Sequence, residues 1–561
     1  MIEPTTAQQA VRDHPSPSLL VVAPAGCGKT EALALRIAGL IDNGIVEPPR
    51  RILAATFTNR AKDNLRSRLR DHIPAGVMRN RVTVANFHGL AARVIRAHAA
   101  TIGLDPAIEL PDGDWVKEQC HERGLSYPAI EAIEGLFRTI KQKPLDDSEV
   151  AEALRASGNL DAYKIEQQRI ADNRATYDDL LRLAEHILSH DAVAGLYRNH
   201  FAAVIVDEYQ DLTAQQLRVL NRIGEDRITF AGDLAQGIYS FTGAQPAETE
   251  AAIRQSVGSN IVEFNESHRS SPAVLAMVNA LNCVTGGTDL HCAKPHTWPA
   301  EGFAAIWDFP DQHQETKWVI HLAKHINSAA PNHRIGVIAR IKSRLRFLDH
   351  ALASTELTVN RWEDGVLDTD TAVIVKRALH AVDIDALNAV TDRLAYLVEL
   401  AKIDEINEPD TRRSLIDALV WVLDRMSAGD HPDQIASRIR IGHQNTLLDA
   451  TGVHLLSGHV GKGQQFDWVV IVGAEDDTVP FFRAETTEEL LEEARIFSVM
   501  ISRARHGVVV THAASVATMA GKAKARQPSR FLLALSAAHP LTKHQSGEWL
   551  KAAPWDQLRK R

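Results

Sequence analysis

The string Ala23-Pro24-Ala25-Gly26-Cys27-Gly28-Lys29-Thr30 follows an apolar run, Leu19 to Val22, and precedes a helical pattern that begins at Glu31. Strand, tight glycine-bearing loop and helix in that order leave a chain little freedom. The loop must turn successive backbone N–H groups toward one point at the helix N-terminus, and such a point holds a polyphosphate. The backbone of Ala25, Gly26, Cys27 and Gly28 would cradle it, with Lys29 placed for the β- and γ-phosphates and Thr30 for a Mg²⁺ ion. Ala23 stands where the first glycine of the usual G-x-x-x-x-G-K-[ST] pattern falls. The chain is expected to bind a nucleoside triphosphate.

Composition narrows the class. With 561 residues, 45% apolar and 24% charged, the chain has the make-up of a globular protein with room for roughly three to four domains. No apolar stretch approaches the roughly 18 residues of a membrane span. Met1-Ile2-Glu3-Pro4-Thr5 lacks the basic-then-apolar order of a signal peptide, so a cytoplasmic enzyme without membrane contact is expected. A net charge of -9 argues against a protein that is basic all over, yet an acidic average can hide a local basic track. Nucleic acid stays open. Cys27, Cys120, Cys283 and Cys292 show no disulfide framework, and the grouping of Cys283, His291, Cys292 and His296 fits no standard zinc spacing.

The second informative stretch runs from Phe201 to Asp211, a short continuous apolar run that ends in acids. A run of this kind suits a buried parallel strand, whose carboxyl end is where ligands sit in open α/β sheets. Asp207 would then hold the Mg²⁺ through its shell, and Glu208 would orient and polarise the water that attacks the γ-phosphate.

Together with the phosphate loop, Asp207-Glu208-Tyr209-Gln210-Asp211 resembles the superfamily 1 DNA helicases of the UvrD/Rep/PcrA group, and further strings fall in that group's order. Pro4 to Gln8 resembles the adenine-reading Q motif, Thr56 to Ala61 motif Ia, and Asn86 to Leu90 the next DNA-facing motif. Gly232 to Ala244 resembles motif III, Ser267 to Ser270 motif IV, Ser457 to Phe466 motif V, and Glu493 to Ala504 motif VI. Collinear matches of this number are far more specific than any one of them.

The resemblance implies ATP and Mg²⁺ as ligands and gives each residue a task. Gln8 would present a donor and an acceptor to the adenine edge, Arg36 would reach back over the nucleotide, and His268 would offer a ring to the other adenine face. The group usually has Tyr at that last position. Gln236 would sense the γ-phosphate, and Gln465, standing where the group has Glu, would belong to the nucleotide side of motif V. Arg269 and Arg503 would come from the second motor domain and neutralise charge on the transferring phosphoryl. For DNA the resemblance implies Phe57, Asn59, Phe87, His88, Tyr239, Phe241 and His459, since an aromatic face stacks on any base without reading sequence. Thr242 replaces an Arg common at the end of motif III, which removes one contact.

Organisation follows from where the motifs lie. Strand-like runs at 19–22, 52–56, 82–84, 204–206 and 228–231 suit a first parallel sheet, and those at 303–307, 335–338, 453–456, 468–472 and 508–511 a second. The resemblance implies an α/β fold of two RecA-like motor domains with two mainly helical insertions, the second reduced. The expected boundaries are 1–101 and 201–282 for the first motor domain, with the first insertion at 102–200 between them. The second motor domain takes 283–381 and 448–535, around a reduced insertion at 382–447, and 536–561 form a C-terminal helix and basic tail. About 55 residues after motif VI are too few for a fused nuclease.

The expected function is an ATP-driven translocase on single-stranded or tailed duplex DNA and a helicase, moving 3′ to 5′ by resemblance alone. The alternative from another class is a DNA-sensing regulatory ATPase serving a partner nuclease, as in Gabija-type phage defence. A repair protein is the other class of partner.

Overall fold

The computed structural model describes residues 3–57, 59–111, 115–238, 243–362, 366–367, 369–390, 392–403, 409–427, 429–441, 450–460, 464–517 and 522–560. Tyr239, Phe241 and Thr242 lie outside the described residues. All ten strand-like runs are strands. β1 (Leu19–Val22), β2 (Arg51–Thr56), β3 (Val82–Asn86), β4 (Phe201–Asp207), β5 (Ile228–Gly232) and β6 (Ile261–Glu263) form one sheet in the order β3-β2-β4-β5-β1-β6. Every pairing is parallel. β4 is buried along its whole length, as a strand covered on both faces must be, and this is why it reads as unbroken apolar sequence. The register sets Val22 beside Gly232 and Asp207 beside Ala231, so the loops after β1, β4 and β5 leave the sheet at one place.

The second sheet repeats the plan. Its order is Val359–Arg361, Gly452–Ser457, Arg334–Ala339, Phe466–Val472, Ala504–Ala513 and Phe303–Phe309, again all parallel. β6 and Val359–Arg361 were not among the expected runs. Each is a three-residue edge strand, with the partial exposure that keeps a strand from showing a continuous apolar signature.

The insertions are helical, with borders that shift from the expected ones. Val116, Cys120, Ile133, Phe137, Leu154 and Ile165 give the first insertion its own core. The helices Tyr177–Ser189 and Asp191–His200, counted within it from sequence, instead bury Leu180, Leu183, Ile187 and Val193 against the first sheet. In the second insertion the helix Thr369–Ala381, expected in the motor domain, packs Ala372, Val375 and Leu379 with Leu394, Leu419 and Leu423. The insertions meet where Lys117 pairs with Asp424 at 3.1 Å.

The C-terminal residues are not a solvated tail. The Leu541 N–H bonds the Ala304 carbonyl at 2.8 Å along the edge of Phe303–Phe309, and Trp549, Trp555 and Leu558 pack on the second sheet's core. Trp307 Nε1 donates to the Ser546 hydroxyl at 3.1 Å. Among the described residues no helix is long and apolar enough to cross a membrane.

Candidate functional site

The phosphate loop leaves β1 at Ala23, whose N–H donates to the Gly232 carbonyl at 2.8 Å. Gly26 and Gly28 have φ of 86° and 83°, a left-handed backbone that glycine adopts without steric cost. Space makes the same demand: a Cβ on Gly26 would lie 2.6 Å from the Arg269 Cβ, and one on Gly28 2.5 Å from the Gln8 Nε2. No described side chain caps α2 (Lys29–Asp42) at its Gly28 end, so the first-turn N–H groups can serve an anion. Cys27 keeps its side chain 1% exposed, and burial pushes its thiol up to about 12. It stays a thiol and packs as a small apolar group.

Acids crowd around Lys29. Its Nζ lies 2.6 Å from Glu208 Oε2 and 3.8 Å from Asp207 Oδ1. Burial acts to lower the Lys29 pKa, but Glu208 and Asp207 override it and hold the ammonium above its ordinary value. Burial pushes Asp207 up to about 6, with Lys29 opposing and Glu208 reinforcing the rise. Asp233 is also raised by burial, against the hydrogen bond from Gln236 Nε2 at 2.8 Å. Glu208 itself has φ 57°, an uncommon conformation for a non-glycine residue. Its N–H bonds Asp207 Oδ1 at 3.0 Å and its carboxylate accepts Gln210 Nε2 at 2.5 Å, so the two acids are aimed by one turn.

A cleft of about 1370 Å³ brings the two sheets' residues together. Ala25, Gly26, Gly28, Lys29 and Thr30 line it from the loop, Asp207, Glu208 and Gln236 from the strand ends, and His268, Arg269, Gln465 and Arg503 from beyond the first sheet. Thr30 and Asp207 both line the cleft with side-chain oxygens, the donor type that a hard cation such as Mg²⁺ takes. Arg269 was expected to act from the second motor domain, although the expected boundaries place residue 269 in the first; its segment is a strap bonded to both sheets. The His268 N–H bonds the Gly26 carbonyl at 3.0 Å, while Ser270 Oγ and Ser271 N bond the Ala504 and Arg505 carbonyls at 2.7 and 2.9 Å. Burial holds the Arg269 pKa below its ordinary value. Arg503 donates to the Gly458 and Val460 carbonyls at 2.7 and 2.8 Å.

Two nucleotide assignments sit differently from expectation. Gln8 is buried against the loop, with Oε1 accepting the Thr5 N–H at 2.9 Å and Nε2 donating to the Gly28 carbonyl at 3.4 Å. Arg36 does not reach the cleft. It is 1% exposed and donates to the His14 and Ser16 carbonyls, both at 2.6 Å, tying α2 to the segment that follows α1 (Thr6–Arg12). Two helical turns from Lys29 along α2 lead away from the loop, toward the buried face.

On the strand side, Phe57 and His88 line the cleft, whereas Phe87 is 2% exposed. The Phe87 ring lies 5.2 Å from that of Phe57 and supports it from the core, which corrects its expected place on the channel surface. Asn59 opens the helix Asn59–His72, and its side chain lies outside the described ones. His459 is half-buried in the turn between Gly458 and Val460, and burial, with Arg340 and Arg503 adding, lowers its pKa to about 4. Sequence reasoning missed Tyr177, 48% exposed, which lines the cleft with its ring 5.8 Å from His88 and edge-on to it. The available signal was Thr176-x-x-Asp179, a capping box that starts the helix at this aromatic.

Residues 4–255 match the UvrD/REP helicase N-terminal domain and residues 379–515 the UvrD-like helicase C-terminal domain. Among curated proteins, the chain is 28% identical to the ATP-dependent DNA helicase UvrD2 of Mycobacterium tuberculosis and of Mycobacterium bovis, over 92% of this chain and 79% of theirs. It is 23% identical to the ATP-dependent DNA helicase PcrA of Staphylococcus aureus, over 97% of this chain and 87% of that one.

Proposed function

Because the chain belongs to the UvrD/Rep-like superfamily 1 helicases, we propose that it hydrolyses ATP to translocate along single-stranded DNA, 3′ to 5′, and separates tailed duplexes. The observation that carries this reading is the single cleft in which Lys29, Thr30, Asp207, Glu208 and Gln236 face Arg269 and Arg503.

Each residue has a chemical part. The loop N–H groups and Lys29 bind the phosphates, His268 offers its ring to the base, and Gln8 supports the loop from behind. Thr30 and Asp207 would hold Mg²⁺, which when bound offsets charge on the phosphate oxygens. Glu208 accepts the proton of the attacking water, and its 2.6 Å pairing with Lys29 gives way to that task when phosphate engages the lysine. Arg269 and Arg503 offset charge on the transferring phosphoryl. Gln236, bonded to Asp233, ties the nucleotide end of the cleft to the strand end. Closure of the two sheets on ATP and reopening after hydrolysis alternates which domain grips the DNA.

The test is ATP turnover with and without single-stranded oligothymidylate, beside unwinding of 3′- and 5′-tailed duplexes. Turnover that rises with DNA and falls with salt, and unwinding of the 3′-tailed substrate alone, are expected. Equal turnover with and without DNA overturns the motor. The shortness of the second insertion supports a second reading, a DNA-sensing ATPase coupled to a partner nuclease. DNA-stimulated turnover without unwinding, restored by a second protein, would select it.

A further inference from the structure

Of the three side chains expected around the base, His268 alone lines the cleft. Arg36 is held by the His14 and Ser16 carbonyls. Gln8, whose amide could read a base edge, is 6% exposed and has both ends of that amide bonded within the protein. Its Oε1 accepts the Thr5 N–H at 2.9 Å, which closes the capping box of α1, and its Nε2 donates to the Gly28 carbonyl at 3.4 Å.

A base edge offered to Gln8 would replace these two bonds with two others, an exchange close to neutral. Discrimination needs more than that. A site rejects the wrong partner when its own buried polar groups are then left unpaired, whereas Gln8 returns to Thr5 and Gly28 whichever base is present. A stacked ring is equally tolerant, because every base has a π-face. The His268 N–H bonds the Gly26 carbonyl at 3.0 Å, which keeps that ring beside the phosphate loop. Lys29, Arg269 and Arg503 line the same cleft with positive charge for the phosphates.

We propose that this site selects nucleoside triphosphates by their phosphates and not by their base, so that GTP, CTP and UTP serve alongside ATP. The inference rests on the reading of the cleft as the triphosphate site and names its substrate class. Gln8 is a positioning residue that ties the loop to the α1 cap, and every nucleotide gains from it equally. His268 stacks on whichever base is bound, most strongly on the larger purines.

Calorimetric Kd values for the Mg²⁺ complexes of ATP, GTP, CTP and UTP test this, beside kcat/KM for each with oligothymidylate present. All four should fall within about tenfold of one another, against the roughly 10⁴-fold that a hydrogen-bonded readout reaches. Gln8→Ala should raise the four Kd values together and leave their ratios unchanged. Gln8→Glu, which keeps the capping acceptor and so the fold, should leave the ratios unchanged as well. His268→Ala should raise the purine Kd values at least about fivefold, the lower end for a stacked base. A preference for ATP above tenfold overturns the proposal, as does a Gln8 variant whose loss falls on ATP alone. Binding of all four with hydrolysis of none fails the motor reading and leaves the base inference standing; binding of none fails both.

Discussion

Two clusters of buried and half-buried carboxylates lie in this protein, and they differ in how their charge is met. In the cleft, Asp207, Glu208 and Asp233 surround Lys29, and burial raises the pKa of Asp207 and Asp233. Beneath the first insertion, Asp147, Glu166 and Asp179 meet Lys141, Arg169 and Arg182 in a network with bonds of 2.6–2.9 Å. Burial would raise Asp179 too, but the three cations outweigh it and hold its carboxyl well below the usual range. Geometry alone does not separate the clusters, since Asp147, Glu166 and Asp179 stand close enough together to ligate an ion. Charge does: in one cluster three cations meet three carboxylates and fasten helices, whereas in the other burial outweighs Lys29 and keeps the Asp207 pKa raised.

The largest expected effect is on stability. Asp179→Asn takes one carboxylate from buried Lys141 and Arg182, leaving them Glu166 and Asp147, and should cost about 3–5 kcal/mol, read from urea unfolding. Asp207→Asn should cost far less, because it removes a carboxylate that burial, with Glu208 beside it, already disfavours. Equal losses in the two variants would break the contrast.

Opposite pH slopes should follow. Asp207 is raised from 3.8 to about 6, so its contribution to the stability of the metal-free protein is fully present below pH 4 and is lost as pH rises through 6. The swing is about 3 kcal/mol at 1.36 kcal/mol per unit. Asp179 is lowered, so its contribution is present above its ordinary value and disappears only as pH falls through the depressed one. Urea midpoints between pH 2 and pH 7 check this, with Asp207→Asn expected to remove the slope across pH 4–6 and Asp179→Asn the opposite slope below pH 4.

The third effect is on chemistry. Glu208→Gln should lower ATP turnover about a hundredfold, some 2.7 kcal/mol of barrier, with nucleotide still bound and the unfolding midpoint little changed. Near-normal turnover would take Glu208 out of the reaction.

How much of this was legible in the sequence depends on range. The loop, the acid pair and ten strands declare themselves within a few residues each, because a phosphate cradle and a doubly covered strand impose local patterns. Arg36 and Phe87 went astray for the opposite reason. Whether α2 turns Arg36 toward ATP or toward His14 and Ser16, and whether Phe87 faces the channel or supports Phe57, is decided by packing between distant segments. The strap that carries Arg269 hides its double attachment in the same way, since its partners are Gly26 and the strand that begins at Ala504.

Tyr177 offers the smallest effect and the sharpest use of the comparison, because it lies two residues from Asp179 on the same helix yet faces the cleft. Its ring meets His88 edge-on at 5.8 Å and is 48% exposed in the cleft that Phe57 also lines, an aromatic face open to a base. Removing such a face costs about 1–3 kcal/mol of strand affinity, so Tyr177→Ala should raise the Kd for oligothymidylate by that amount while Tyr177→Phe changes little. The salt dependence of binding should stay the same, since phosphate contacts are untouched. Asp179→Asn, by loosening the helix that holds Tyr177, should weaken strand binding less than Tyr177→Ala does and stability far more. Were Tyr177→Ala to lower the unfolding midpoint and leave strand affinity alone, Tyr177 would belong with Asp179 to the structural cluster.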